Sequence, residues 1–189
     1  MNGSHPEHSA TVQSPEVLLM KQVAEGNERA LVTLMDLWKG PLINFFYRSL
    51  CSREDAEDLT QTVFIRLYKA APRYEARAKF STFLFQIARR LLINEFRRKS
   101  RHPMDATDPA DLRAIDPGLT NRRIQEIEEA FALAIAELPE NQRTAILLLK
   151  QQELSYEEIA VIMESTESSV KTWIFRAREQ LRVTLKEVL

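Results

Sequence analysis

The chain has 189 residues, of which 44% are hydrophobic and 28% charged, a composition typical of a globular protein rather than a disordered or fibrous one. Its formal net charge of −1 excludes nucleic-acid binding by bulk positive charge, but a local basic surface is compatible with it. Only four glycines are present, which disfavours a sheet fold rich in tight turns and predicts an all-α fold.

The sequence carries no sign of export or membrane insertion. Its single cysteine, Cys51, cannot form an internal disulfide, and no apolar run approaches the ~18 residues that span a bilayer. Residues 1–15 are rich in His, Ser and Pro and lack the basic start and apolar stretch of a secretory signal. We therefore expect a disordered tail over 1–15 and a cytoplasmic protein without membrane insertion.

From Pro15 onward the pattern is almost continuously helical. Apolar residues recur at steps of three or four in the first part of this region: Leu18, Leu19, Val23, Ala30, Leu31, Leu34 and Leu37. Gly26 and Asn27 predict a boundary between a short first helix and a second one. Gly40 and Pro41 are expected to interrupt or kink the second helix.

Two further helices complete the N-terminal domain, predicted over residues 16–101. Ser52 is a plausible N-cap for a helix from about 53 to 71, which a proline then ends. Residues 72–80 form a short polar loop, and Ser81 is expected to cap a long helix that reaches about Arg101.

The character of the chain changes over residues 102–121. Prolines and aspartates cluster there and apolar residues are few, which predicts a flexible acidic linker between two small helical domains.

The second domain is predicted over residues 122–189. One helix ends at Leu138-Pro139 and a second follows. Ser155 precedes Glu158 by three positions, which fits a capping box. A four-residue turn over 164–167 then leads into a last helix reaching about Leu185, and the two helices around this turn match a helix-turn-helix.

Three predicted helices have notable outward faces. On the 53–71 helix, Ile65 is an apolar group on a polar face, which is either a scattered surface residue or an anchor for a protein partner. Between Arg89 and Arg101 the chain has six basic residues and one acid, a pattern that is either a solvated basic face or a phosphate-binding stripe.

The last helix carries the strongest signal for DNA reading. Its outward face combines short hydroxyls, an arginine and an aromatic ring, which suit a major groove better than an unliganded helical hairpin. The side chains of this face are Ser168, Thr172, Phe175, Arg176 and Glu179, flanked by Lys171 and Arg178.

No pattern of catalytic or metal-binding residues is visible. The three histidines, His5, His8 and His102, lie in the predicted tail and linker, and no Ser or Cys nucleophile has a nearby base. We expect no enzyme activity, no metal and no cofactor; a nuclease or recombinase has no support in the sequence.

Two stretches resemble a known family. DAEDLTQTVFIRLYKAAPRYEARAKFSTFLFQIARRLLINEFRRKSR is similar to the second conserved region of bacterial RNA polymerase sigma factors, particularly the extracytoplasmic-function (ECF) group. AIAELPENQRTAILLLKQQELSYEEIAVIMESTESSVKTWIFRAREQLR is similar to their fourth region. The resemblance implies a factor that directs promoter recognition, DNA melting and transcription initiation. The alternative is a stand-alone helix-turn-helix transcriptional regulator.

The resemblance implies three sets of binding residues. The set that docks on core polymerase is Asp58, Leu59, Gln61, Thr62, Phe64 and Ile65. The set that holds the −10 element is Arg73, Tyr74, Lys79, Phe80, Gln86, Arg90, Asn94, Arg97 and Arg98. The set that reads the −35 element is Ser168, Ser169, Lys171, Thr172, Phe175 and Arg176.

The resemblance also implies partners. These are core RNA polymerase, through the clamp coiled coil of its largest subunit and its flap, together with promoter DNA and an anti-sigma factor. The chain departs from the usual family pattern at Phe83, Arg90 and Trp173, where Trp, Asn and Arg are common. Its promoter sequence therefore does not follow from a relative.

Overall fold

The computed structural model describes residues 14–101 and 122–186, and both ranges are helical without any strand. The helices are α1 (Pro15–Ala24), α2 (Glu28–Leu50), α3 (Arg53–Ala70), α4 (Phe80–Arg101), α5 (Arg122–Ala136), α6 (Glu140–Gln151), α7 (Tyr156–Ile162) and α8 (Glu167–Leu185), with a 3₁₀ turn at Ala71–Arg73. The all-α prediction is confirmed. The predicted linker over 102–121 and nearly all of the predicted tail lie outside the described residues.

Side-chain caps set the starts of four helices. Asn27 accepts hydrogen bonds from the backbone N–H groups at the start of α2, and Ser52 accepts one at the start of α3. The predicted capping box is present in α7, where Ser155 and Glu158 satisfy each other's backbone N–H groups. Thr166 caps α8. These caps satisfy amides that the helix cannot bond itself, which is why short polar motifs located these boundaries in the sequence.

Two predicted helix boundaries are wrong. Helix α2 runs through Gly40 and Pro41 without interruption. An internal proline costs about 3 kcal/mol, but fully buried side chains lie on both sides of it, including Leu34 and Leu42. Burying each such side chain contributes about 1.5–3 kcal/mol, so together they outweigh the proline.

The second wrong boundary is the start of α4. The helix begins at Phe80, so Ser81 lies inside its first turn and does not cap it; the N–H of Phe83 bonds to the carbonyl of Lys79 instead. Phe80 is 3% exposed and its ring lies 5.7 Å from that of Trp38. Packing of this ring therefore accompanies a helix start one residue earlier than the hydroxyl pattern indicates.

The helices form two bundles. Helices α1, α3 and α4 pack around α2, and the aromatic rings of Phe45, Phe46 and Phe85 fill the centre. Helices α5, α6 and α7 pack against α8, whose buried stripe is Val170, Ile174, Ala177 and Leu181, as the spacing predicted. Each bundle leaves the opposite faces of its helices outside the core.

The two bundles also contact each other, through α2 with α5 and α6 and through α4 with α7. Arg143 of α6 lies at this junction, where its guanidinium donates to the carbonyls of Ser49, Ala136 and Leu138 and covers the ring of Phe96. Burial lowers the pKa of Arg143. One cation thus binds carbonyl groups near the C-terminal ends of α2 and α5, where a positive charge is favoured.

Cys51 follows α2 as its C-cap residue, in the left-handed backbone conformation with φ of 56°. Its side chain is buried, and burial raises the pKa of the thiol, which keeps it protonated at neutral pH.

Candidate nucleic-acid interface

The outward face of α3 carries most of the predicted polymerase-docking residues. Asp58 and Gln61 are exposed, and the Thr62 hydroxyl donates to the carbonyl of Asp58, which holds that side chain against the helix. Ile65 is 48% exposed at the centre of this face, whereas Phe64 is 5% exposed and belongs to the core. Phe64 therefore supports the face from beneath and cannot line it.

Sequence reasoning missed Tyr68 on the same helix. Its ring is 52% exposed and lies three positions after Ile65, so the two side chains are neighbours on the helix surface. Leu59 is half-buried one and a half turns earlier. A second apolar residue at a step of three from Ile65 was the available signal in the sequence.

The basic end of α4 is tied to the start of α3. Lys99 and Arg98 pair with Asp55 at 2.7 and 4.0 Å, and Arg98 also bonds to Glu95 at 2.7 Å. Burial raises the pKa of Asp55, but hydrogen bonds from Lys99 and Ser52 outweigh it and hold that pKa below its ordinary value. These bonds order the positive charges along one ridge.

A cleft of about 300 Å³ opens along this ridge, lined by Asn94, Arg97, Arg98 and Arg101. Arg97 and Arg101 are exposed, and neither forms an ion pair with a residue in the described ranges. Guanidinium groups in this arrangement can bond to phosphate oxygens in pairs. Four of the predicted −10 residues or their immediate neighbours thus converge on one concave basic surface.

The loop before α4 brings three rings together. Tyr74 lies 5.0 Å from Phe83 and 6.4 Å from Phe80 between ring centroids, and its hydroxyl is buried without a partner in the described residues. Phe80 is core, Phe83 is half-buried and Tyr74 is half-buried. Arg73 is exposed beside them. Of the predicted ring residues, Tyr74 and Phe83 retain accessible surface for stacking on a base.

The remaining predicted −10 residues contact the second bundle. Lys79 pairs with Glu158 at 3.0 Å, and Arg90 donates two hydrogen bonds, of 2.9 and 3.1 Å, to Glu164. The Gln86 amide reaches the carbonyl of Val161 at 3.4 Å. No sequence pattern indicated these contacts, because the partners are more than 70 positions apart.

The predicted −35 residues lie along the first three turns of α8. The Ser169 hydroxyl bonds to the capping hydroxyl of Thr166, so its role in the structure is to order the helix start. Lys171 pairs with Glu167 at 2.6 Å, and this hydrogen bond raises its pKa. Ser168 and Thr172 are exposed on the same face, joined by a hydrogen bond from the Thr172 hydroxyl to the Ser168 carbonyl.

Phe175 is the most exposed large apolar side chain of this face, with 65% of its surface accessible. Arg176 beside it is exposed. Trp173 is half-buried and packs against the core, in agreement with its predicted flanking position. An unburied ring next to a cation is suited to contacting base edges, a thymine methyl or another protein.

Within the described ranges, no group of three or more His, Cys, Asp or Glu side chains could hold a metal ion. The three histidines fall outside those ranges. No helix in the described parts of the chain combines the length and apolarity that crossing a bilayer requires.

Comparison with known proteins identifies both bundles. Residues 34–102 match the family model "Sigma-70 region 2", and residues 128–181 match "Sigma-70, region 4". The chain is 31% identical over 179 residues to the ECF RNA polymerase sigma factor SigW of Bacillus subtilis, covering 89% of this chain and 96% of that protein. The chain belongs to the ECF RNA polymerase sigma factors.

Other relatives agree with this membership. The RNA polymerase sigma-H factor of Pseudomonas aeruginosa is 29% identical over 187 residues, covering 94% of this sigma factor and 97% of that one. The structure of the sigma factor RpoE in complex with the anti-sigma factor NepR from Bartonella quintana shares its fold, with a TM-score of 0.66 and 24% identity over 82% of this chain and 95% of that one. The family comprises transcription initiation factors rather than enzymes, so a stand-alone regulator is not favoured.

Proposed function

We propose that this sigma factor confers promoter recognition on core RNA polymerase through three separate helical surfaces. The N-terminal domain, residues 16–101, would bind polymerase and the −10 element, and the C-terminal domain, residues 122–189, would read the −35 element. The observation that carries this proposal is that α3, α4 and α8 each expose a chemically different face. The faces are mixed apolar and polar on α3, basic on α4, and hydroxyl, aromatic and basic on α8.

The α3 face is suited to a protein partner. Ile65 and Tyr68 offer exposed apolar surface, and the polar side chains of Asp58 and Gln61 lie around them. Interfaces commonly concentrate their binding energy in a few apolar anchors surrounded by polar groups that set orientation. We assign this face, with Thr62 and the half-buried Leu59, to the clamp coiled coil of the polymerase.

The α4 ridge is suited to a separated DNA strand. Arg97 and Arg101 are available for phosphates in the basic cleft, and each neutralised phosphate releases counterions and adds salt-dependent affinity. Trapping an unstacked base offsets part of the few kcal/mol that opening costs. We assign that task to the loop containing Arg73 and Tyr74, with Gln86, Arg90 and Asn94 guiding the strand.

The α8 face is suited to the major groove. Arg176 can bond guanine edges in bidentate fashion, and Phe175 can contact a thymine methyl. Ser168, Thr172 and Lys171 would contact the backbone and flanking bases, while Ser169 orders the helix start. Phosphate contacts position such a helix, and base contacts give it specificity.

The same assignment accounts for the wider biology of the chain. A factor that acts on RNA polymerase works in the cytoplasm and needs no catalytic site or cofactor. A solved neighbour is bound to an anti-sigma factor, and we propose that a protein of this class regulates the present chain. We propose that the flap of the polymerase receives the C-terminal domain.

In vitro transcription with purified core polymerase over a randomised promoter pool tests the proposal. We expect transcripts only when both proteins are present, with enriched −35 and −10 sequences among the active templates. Absence of association with core polymerase at low salt, or transcription without any promoter preference, would overturn the assignment.

A further inference from the structure

The helix-turn-helix lies directly on the basic helix of the other domain. Helix α7 packs on α4, and three side chains of the first domain reach it. Lys79 pairs with Glu158, Gln86 donates to the Val161 carbonyl, and Arg90 donates twice to the single Oε1 of Glu164. All three of these side chains belong to the proposed −10 surface.

The two acidic partners resemble phosphates in their chemistry. Carboxylate oxygens accept the same charge-assisted hydrogen bonds from arginine and lysine that phosphate oxygens accept. Burial raises the pKa of Glu158, but the backbone hydrogen bond at Ser155 and the bond from Lys79 outweigh it, so that pKa lies below its ordinary value. Both glutamates are therefore ionised at neutral pH where a DNA backbone would compete for the same cations.

A second contact holds the domains in this arrangement from the other side. Arg143 of α6 donates to the Ser49 carbonyl of α2 at 2.6 Å and covers the ring of Phe96 on α4. Arg48 of α2 lies 5.5 Å from the ring of Phe131 on α5. The junction therefore combines two carboxylate–cation pairs over the −10 surface with a half-buried clasp at the ends of α2 and α5.

This arrangement is incompatible with reading both promoter elements. The −10 and −35 elements lie about 25 base pairs apart, or about 85 Å of duplex at about 3.4 Å per base pair. Helix α8 packs on α7, and α7 packs on α4, so the two reading surfaces lie within about 20 Å of each other at ordinary helix spacings. The 20 residues from 102 to 121 could reach about 70 Å when fully extended, which is enough for the domains to separate.

We infer that the free sigma factor is autoinhibited: Glu158, Val161 and Glu164 of the helix-turn-helix occupy Lys79, Gln86 and Arg90, and the domains must separate before the −10 strand binds. The inference rests on the proposed function of the α4 surface. Exposed ion pairs are individually weak, so the closed form is reversible and polymerase or promoter can open it.

The test removes the two acids without touching any proposed DNA-binding residue. E158Q/E164Q loses both carboxylates, while glutamine at 158 can still accept the backbone hydrogen bond of the capping box. The matched control is E153Q/E157Q. It removes two charges from the same domain, and Glu153 shares with Glu164 a left-handed backbone, with φ of 51° and 50°.

The full-length variants are compared in two assays without polymerase. We expect E158Q/E164Q to bind fluorescein-labelled single-stranded DNA of mixed sequence about fivefold more tightly than wild type, because each partly exposed pair contributes up to a fewfold in the opening equilibrium. Its radius of gyration in small-angle X-ray scattering should increase. The control should change neither quantity beyond about twofold in affinity, the general effect of lost negative charge.

Equal tightening in the control and the E158Q/E164Q variant, or an unchanged radius of gyration in the latter, would overturn the inference. Wild-type transcription with core polymerase separates this failure from failure of the proposed function. If the wild type initiates transcription but the acid-removal variant stays compact, only the autoinhibitory contact is rejected. If the wild type never initiates transcription, both are rejected.

Discussion

Replacing Ile65 by arginine tests the docking face of α3 with little effect on the fold. Ile65 is 48% exposed, so about half of its surface is still available for burial against a partner. Full burial of an isoleucine contributes about 1.5–3 kcal/mol, and completing the burial should therefore contribute about 1 kcal/mol. An alanine at this position should weaken polymerase binding about fivefold on this basis.

Arginine should have a much larger effect than alanine. It forfeits the same apolar burial and adds a guanidinium that loses water without a designed partner, at a cost of several kcal/mol. We expect Ile65→Arg to reduce affinity for core polymerase at least about 100-fold, which corresponds to about 2.7 kcal/mol. A surface substitution of this kind usually changes stability by less than about 0.5 kcal/mol, so the unfolding midpoint should be retained.

The assay is biolayer interferometry of the variant against immobilised core polymerase, together with urea unfolding. Val32→Arg is the matched control, because Val32 is a β-branched residue 54% exposed on α2 and precedes the residues that match region 2. Wild-type affinity in Ile65→Arg, with an unchanged unfolding midpoint, would refute the docking assignment. Equal losses in both variants would indicate a general charge effect instead.

Three further predictions concern stability and DNA reading. Because the pKa of Asp55, which bonds to Lys99, is lowered in the folded chain, its carboxylate stabilises the fold fully above the unfolded value of about 3.9 and progressively less as pH falls through the folded value. Asp55→Asn should therefore cost about 1 kcal/mol at pH 7 and almost nothing at pH 2, measured by urea unfolding at both values. Ser155→Ala should lower the free energy of unfolding by about 1 kcal/mol, whereas Ser155→Thr should retain most of it; equal stability of the two variants would contradict the capping role. Phe175→Ala should weaken holoenzyme binding to −35 duplex DNA about tenfold in fluorescence anisotropy without lowering thermal stability, since a ring that loses base contact forfeits 1–3 kcal/mol, or roughly that factor. Val183→Ala, altering a 70% exposed residue two turns farther along α8, is its control, and an equal loss there would count against base contact by the ring.

Local features were predictable because their causes lie within a few residues. The capping box of Ser155 and Glu158 follows from one hydroxyl and one carboxylate three positions apart. The buried stripe of α8 follows from apolar residues at steps of three and four. The exposure of Ile65 and Phe175 follows from the same geometry, because both lie opposite such a stripe.

Features that depend on packing between distant residues were not predictable in the same way. Gly40 and Pro41 are breaking signals by propensity, but α2 continues through them because its flanking side chains are buried in the bundle. Phe64 is adjacent to a true surface residue on α3, and only the position of the neighbouring helices decides that its ring lies inside. Propensity is a weak prior that tertiary burial can override.

The sequence by itself determined that the chain is helical, where most helices begin and end, and which faces carry charge, rings or hydroxyls, since these depend on neighbours within one or two turns. Only the tertiary structure decided that Lys79 and Arg90 are engaged by Glu158 and Glu164 and that Arg143 binds carbonyls of both domains. Such contacts join residues 74 to 94 positions apart. They arise from how two separately folded surfaces meet, and no local periodicity encodes that meeting.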